Sequence, residues 1–153
     1  MSTGSRMAFV SLPVFLFLRM AADALDGMMA RELNRCTPSG TLLNEVADVA
    51  ADAALYLPFA LLPGVEPVLP VTAVVLAMIS EQAGVAAALV GVPRRFEGPM
   101  GKSDRALAFG ACGLICGLRL TSPVIWNVIF AVIIVLLLLT IFNRFRSAVK
   151  EAT

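Results

Sequence analysis

Five apolar stretches divide the chain, and polar or loop-forming residues separate them. A helix that crosses the hydrocarbon core of a bilayer needs about 20 mostly apolar residues. Pro63-Gly64 and Ser122-Pro123 are typical turn signals between neighbouring stretches. The predicted helices cover residues 7–30, 41–62, 68–92, 105–118 and 123–142, of which the fourth is short and rich in glycine. The pattern predicts an all-α fold, a polytopic membrane helical bundle with five transmembrane helices.

Basic residues lie unevenly around these stretches. If the five helices alternate in direction, nine lysines and arginines fall on one side of the membrane, and only Arg6 and Arg119 fall on the other. Basic loops are retained in the cytoplasm, so the nine are expected there and the N-terminus outside. The nine are Arg31, Arg35, Arg94, Arg95, Lys102, Arg105, Arg144, Arg146 and Lys150. The charge bias supports five spans independently of hydropathy, and we expect an integral protein of a bacterial inner membrane.

Composition limits the possible chemistry. The chain has 153 residues, of which 59% are hydrophobic and 15% charged, with a mean hydropathy of +0.87. A soluble domain carries roughly 25% charged residues, so the composition agrees with a membrane protein of a single domain. Histidine is absent. The usual general base and the commonest zinc ligand are therefore missing, and acid–base or metal chemistry must rest on carboxylates.

Acidic residues within the first two predicted helices are the most unusual feature. Each charge near the middle of a bilayer costs about 2.5–3.5 kcal/mol, so these acids need a polar cavity and a cation. Asp23 and Asp26 share one helix face, and Asn44 and Asp48 share a face of the next helix. The short connection predicts antiparallel neighbours whose acidic faces meet near the cytoplasmic surface. Clustered oxygen donors favour Mg²⁺ or Mn²⁺.

The segment from Asp23 to Asp48 resembles the signature of the CDP-alcohol phosphatidyltransferases. It reads D-A-L-D-G-M-M-A-R, then eight residues, then Gly40, Asn44 and Asp48. The family signature is D-x2-D-G-x2-A-R-x8-G-x3-D-x3-D, and seven of its eight specified positions match. Asn44 replaces the third aspartate, which removes one negative charge but keeps an oxygen that can bind a metal. Thr37-Pro38 predicts the start of the second helix, with a hydroxyl cap followed by proline.

The resemblance implies a fold and an activity. Family members are polytopic enzymes, usually with six transmembrane helices, and commonly form homodimers. They transfer a phosphatidyl group from a CDP-linked donor to an alcohol and release CMP. By position, the implied metal ligands are Asp23, Asp26, Asn44 and Asp48, with Asp48 also as the general base. The implied contacts to the CDP group are Gly27, Ala30, Arg31, Thr37 and Gly40.

A second region, residues 94–105, resembles the basic loop after the fourth helix of family members, where a Gly-Lys pair recurs. Arg94 and Lys102 are expected to bind substrate phosphate, either an acceptor's phosphate or lipid headgroups. Arg95 and Arg105 could equally be ordinary cytoplasmic charge. Glu81, inside the third predicted helix, requires a polar partner. Gly113 and Gly117 form a G-x-x-x-G motif that favours close helix packing.

Together these features predict a Mg²⁺-dependent (or Mn²⁺-dependent) transferase of phospholipid biosynthesis that uses CDP-diacylglycerol and an alcohol. The acceptor stays open between glycerol 3-phosphate, inositol phosphate, serine and another phosphatidyl lipid. Membrane lipids and a second copy of the chain are the expected partners, and nucleic acid is not. Residues 1–153 are expected to form one domain that lacks the family's first helix at its N-terminus. The alternatives are a catalytically impaired relative that binds lipid or a partner and, less favoured, a small cation transporter.

Overall fold

The protein is all-helical throughout the part of the chain that the structure describes. That structure is a computed structural model, and it describes residues 3–32, 37–120 and 122–153. Within these ranges it has five α-helices and no strand: α1 (Thr3–Glu32), α2 (Pro38–Tyr56), α3 (Val68–Ala86), α4 (Lys102–Gly117) and α5 (Pro123–Ala152). Short 3-10 segments, Leu57–Leu61 and Ala87–Val90, follow α2 and α3. The predicted all-α membrane bundle is confirmed.

Three of the described helices are long and apolar enough to cross a membrane by themselves. They cover Ser5–Met29, Val68–Val90 and Val124–Ala152. Helix α2 falls short because it carries several acids, and α4 because it has only 16 residues. The five predicted helices are therefore present, but two of them depend on their neighbours for burial of their polar groups.

Local chemistry explains where the second and fourth helices begin. Thr37 is extended, with φ −108° and ψ 146°, and its hydroxyl accepts a hydrogen bond from the Gly40 N–H at 3.1 Å. This is the cap predicted from Thr37-Pro38, and α2 begins at Pro38 as expected. Helix α4 begins at Lys102, earlier than the predicted residue 105. The Asp104 carboxylate accepts from the Gly101 N–H at 2.9 Å and so caps its first turn.

Helix α1 packs closely on α4, and α3 packs on α5. The G-x-x-x-G motif forms the first of these contacts. A Cβ atom on Gly113 would lie 2.9 Å from the Phe9 carbonyl oxygen, and one on Gly117 would lie 2.4 Å from a methyl of Val10. The predicted close packing is thus confirmed. The expectation that α1 and α2 are direct neighbours was incomplete, because the close neighbour of α1 in the described residues is α4.

The bundle has an apolar end and a charged end. Aromatic rings fill the apolar end, where Tyr56 stacks on Phe109 at 3.9 Å between centroids and Phe59 meets Phe130 at 5.8 Å. At the other end α1, α3 and α5 finish and α4 starts. Asp52 lies one turn before Tyr56 on α2 and marks the boundary between the two ends. Apart from Arg6 near the start of α1, the charged side chains of the five described helices are therefore concentrated at one end of the bundle.

Helix α5 extends beyond the predicted end at residue 142 and continues to Ala152. Hydropathy falls after Phe142, but Arg144 is only 2% exposed. Its guanidinium donates to the carbonyl oxygens of Ser80 on α3 and of Glu97 in the loop before α4. The helix therefore continues because its polar residues have partners within the protein.

Candidate active site

Lys102, the first residue of α4, joins the acids of the first two helices. Its Nζ atom lies 2.6 Å from Asp23 Oδ2 and 2.6 Å from Asp48 Oδ2. Asp23 belongs to α1 and Asp48 to α2, so carboxylates from two helices converge on one cation. The predicted meeting of acids from the two helices is seen here, and Lys102 of α4 lies between them.

Arg19 also holds Asp48, from one turn before Asp23 on α1. Its Nη2 atom lies 3.0 Å from Asp48 Oδ1 and donates to the Asp48 carbonyl oxygen at 3.0 Å. Its Nη1 atom donates to Asp52 Oδ1 at 2.6 Å. Both carboxylate oxygens of Asp48 are thus fixed, one by Arg19 and the other by Lys102. The sequence interpretation assigned Arg19 no role, and only its charge within an apolar helix hinted at one.

Deeper in the bundle, Glu81 on α3 is the acid shared by three arginines. Arg105 is fully buried and donates to Glu81 Oε1 at 2.5 Å, with Asp52 Oδ2 at 3.4 Å. Arg144 lies 3.9 Å from Glu81, and Arg94 donates to Glu81 Oε2 at 3.0 Å. Glu81 therefore has the polar partners that its position in an apolar helix required.

The loop before α4 brings Arg94 to this cluster. The Arg95 N–H donates to the Gly84 carbonyl at 3.0 Å, and a Cβ atom on Gly84 would lie 2.5 Å from the Arg95 carbonyl oxygen. Gly84 thus allows the loop to press against α3. Gly98, with φ +127°, adopts a conformation that favours glycine and lies against Thr140 on α5. The loop is held on both helices, and Arg94 reaches Glu45 as well as Glu81.

Arg95 and its partners lie outside this network. The Arg95 guanidinium pairs with Glu97 at 3.3 Å and with Glu151 near the end of α5. The hydrogen bond with Glu151 raises the pKa of Arg95, so the side chain keeps its charge. Arg95 therefore ties the loop to the end of α5.

The other predicted site residues lie around the ion pairs of Asp23 and Asp48. The Asn44 amide nitrogen is 3.5 Å from Asp48 Oδ2. Asp26 and Gly27 are exposed on α1, and Asp26 forms no ion pair with any described side chain. Gly40 is exposed in the first turn of α2, beside the Thr37 cap. Contacts to CDP were also predicted for Ala30 and Arg31, whose side chains lie outside those that the structure describes.

The carboxylate oxygens of this site can be compared with the ligands that a divalent cation prefers. Asp23 and Asp48 offer hard oxygen donors to one position, where the Lys102 ammonium provides the positive charge. Such oxygens are the ligands that Mg²⁺ prefers, so the chemistry of the site fits that ion. Among the described residues, no three acidic or cysteine side chains are already grouped around a metal position.

The network is balanced in charge. Its ion pairs connect ten described side chains, five acidic and five basic. The acids are Asp23, Glu45, Asp48, Asp52 and Glu81, and the bases are Arg19, Arg94, Lys102, Arg105 and Arg144. Pairing of this kind makes it possible to keep so many charges inside a membrane bundle.

An all-helical bundle with apolar spans defines an integral membrane protein, and its charged side chains form a network at one end of the bundle. Comparison with known proteins makes the class specific. The chain belongs to the CDP-alcohol phosphatidyltransferase family, whose model matches residues 5–142. This is a family of phosphotransferases that act on CDP-alcohol substrates and membrane lipids. The membership predicted from the Asp23–Asp48 motif is confirmed.

One relative is the protein named Inner membrane protein YnbA of Escherichia coli (strain K12). It is 43% identical to this chain over 139 residues, which cover 91% of this chain and 69% of the relative. No solved structure matches the chain. The comparisons therefore support an integral membrane phosphotransferase.

Proposed function

We propose that this protein transfers a phosphatidyl group from CDP-diacylglycerol to an alcohol and releases CMP. The convergence of Asp23 and Asp48 on one cation position is the observation that carries the proposal. Mg²⁺ or Mn²⁺ at Asp23, Asp26, Asn44 and Asp48 would neutralise charge on the donor diphosphate. The proposed contacts to CDP are Gly27, Ala30, Arg31, Thr37 and Gly40, and Lys102 is proposed to bind phosphate of the lipid substrate. The cytoplasmic side of the membrane and a homodimer are parts of the same proposal.

An apolar groove between α1 and α4 supports a lipid donor. Its volume is about 380 Å³, and Leu16, Phe17, Met20 and Leu107 are among its lining residues. The groove also includes Ser103, the neighbour of Lys102 in the chain. An acyl chain in this groove would place the lipid's polar group beside Lys102 and the carboxylates.

The proton transfer and the transfer of the phosphatidyl group belong to one displacement reaction at phosphorus. Asp48 accepts the proton from the acceptor hydroxyl, whose oxygen then bonds to the phosphorus that carries the diacylglycerol. The bond from this phosphorus to the oxygen that bridges it to CMP breaks, and CMP leaves with the electron pair. Arg19 and Lys102 fix the two oxygens of Asp48, so the base is oriented before the acceptor arrives.

The test is CMP release by the purified protein in lipid nanodiscs, with CDP-diacylglycerol, Mg²⁺ and a panel of alcohols. Asp48→Asn should lower the rate by about 10²-fold or more, the usual contribution of a general base. Chelation of divalent ions should stop release, and added Mg²⁺ should restore it. Glu66→Gln is the matched control, because Glu66 is exposed in the loop between α2 and α3. Full activity of Asp48→Asn would exclude Asp48 as the base.

A second candidate function is binding without catalysis. Asn44 removes one carboxylate, and the described residues contain no ready group of three acids. Mg²⁺-dependent CDP binding, measured by calorimetry, together with no CMP release from any acceptor, would favour this alternative over the transferase.

A further inference from the structure

We propose that the acceptor is an alcohol that carries no phosphate group, and that Glu45 is the residue that sets this preference. This inference rests on the proposed transferase activity and names its substrate class. Its basis is that basic side chains, which the sequence suggested as a phosphate pocket, are already bound to carboxylates in the structure.

Arg94 is the clearest case. Its two terminal nitrogens are both engaged, one with Glu45 and the other with Glu81 at 3.0 Å. A planar guanidinium binds phosphate best through these same two nitrogens. An acceptor phosphate would have to displace at least one carboxylate, which would then lie unpaired at the charged end of a membrane bundle.

The deeper arginines are engaged in the same way. Arg105 is fully buried and bound to Glu81 and Asp52. Arg144 is 2% exposed, is bound to the carbonyl oxygens of Ser80 and Glu97, and lies 3.9 Å from Glu81. Arg19 is occupied by Asp48 and Asp52. Both terminal nitrogens of Arg19, Arg94 and Arg105 are therefore already bound to oxygen atoms of the protein.

Charge balance leads to the same conclusion. The network's own side chains hold five acids and five bases, and the charge of the proposed Mg²⁺ would be taken up by the diphosphate of the donor. A phosphate monoester would add a charge of about −1.5 to −2. The exposed Arg146 and Lys150 do not supply the missing positive charge. The helical spacing places them on faces of α5 that are turned well away from the face of Arg144. A neutral polyol or a zwitterionic amino alcohol adds no net charge and fits the balanced site.

Substitution of Glu45 tests the preference between the two acceptor classes better than substitution of Glu81 does. Its side chain is 22% exposed, whereas that of Glu81 is 10% exposed and is shared with buried arginines. Glu45→Gln should release one side of Arg94 without disrupting the buried network. Glu45 is thus a specificity-determining residue, and its removal should admit phosphorylated acceptors.

The experiment compares matched acceptor pairs, glycerol with glycerol 3-phosphate and inositol with inositol 1-phosphate, in the CMP-release assay. The wild-type protein should show at least a tenfold higher kcat/KM for the unphosphorylated member of the pair it uses. Glu45→Gln should shift this ratio at least tenfold toward the phosphorylated member, and Glu66→Gln should not shift it. Faster wild-type turnover of the phosphorylated member, or an unchanged ratio in Glu45→Gln, would overturn the inference.

Thermal unfolding provides a second measurement that does not depend on turnover. Glycerol 3-phosphate should raise the Tm of Glu45→Gln and leave that of the wild type unchanged. A rise in the wild-type protein would contradict the inference even if no acceptor supported CMP release. Absence of CMP release with every alcohol of the acceptor panel would instead count against the proposed transferase, so the two failures are distinguishable.

Discussion

Replacement of Glu81 with glutamine tests whether the buried network holds the bundle together. Glu81 is the shared partner of Arg94, Arg105 and Arg144, and its side chain is 10% exposed. The substitution keeps the size of the side chain and removes its charge. Arg105, which is fully buried, would keep its hydrogen bonds to Ser80 and Met100 but only one carboxylate, Asp52 at 3.4 Å. Arg144 would lose its nearby carboxylate.

The expected loss follows from these contacts. Removal of one partner from a buried ion pair costs about 3–5 kcal/mol. Because Asp52 remains and the amide can still accept a hydrogen bond, we expect the lower end, about 3 kcal/mol. A chain of this size loses roughly 2–4 °C of Tm per kcal/mol, so the Tm should fall by about 6–12 °C.

The assay is thermal unfolding in one detergent, followed by circular dichroism at the helical band. Glu97→Gln is the matched control, because its side chain is 42% exposed and an exposed pair contributes little stability. If the Tm of Glu81→Gln stays within about 2 °C of the wild type, the network does not stabilise the fold and the reasoning fails.

Three further predictions address the helix contact, the cap and the orientation of the base. Gly117→Val should lower the Tm by several degrees in the same unfolding assay, because its Cβ would lie 2.4 Å from Val10; an unchanged Tm would refute the close α1–α4 contact. Thr37→Val should lower the free energy of unfolding by about 1 kcal/mol through loss of the cap, and Thr37→Ser should retain the cap. Equal stability of the two variants would contradict this role. Arg19→Met should lower kcat for CMP release at least tenfold with little change in donor KM, because Arg19 orients Asp48, and Arg19→Lys should restore part of it. A change confined to KM would assign Arg19 to substrate binding instead.

Features encoded by a few neighbouring residues could be predicted from the sequence. Thr37-Pro38 predicted the start of α2, because a cap depends on one hydroxyl and the next three residues. Gly113 and Gly117 predicted a close helix contact for the same local reason. The family motif identified Asp23 and Asp48, and the structure brings both to Lys102.

Features that depend on contacts between distant helices could not be predicted. Arg19 reads as an isolated charge in an apolar helix, since the sequence does not say which acid lies opposite it on α2. The end of α5 was missed because hydropathy ignores Arg144, whose partners belong to α3 and the loop before α4. Arg94 could be named from the sequence, but its pairing with Glu45 requires the fold.

The short length of α4 affects the surrounding bilayer. Its 16 residues rise about 24 Å, whereas the hydrocarbon layer is about 30 Å thick. With the other end of α4 at one headgroup level, Lys102 would lie below the opposite headgroup level, in a leaflet that thins or admits water beside it. A lipid that diffuses in the membrane and an alcohol that arrives from solution would then meet at the same depth. The lipid would stay in the bilayer and the alcohol would stay in water.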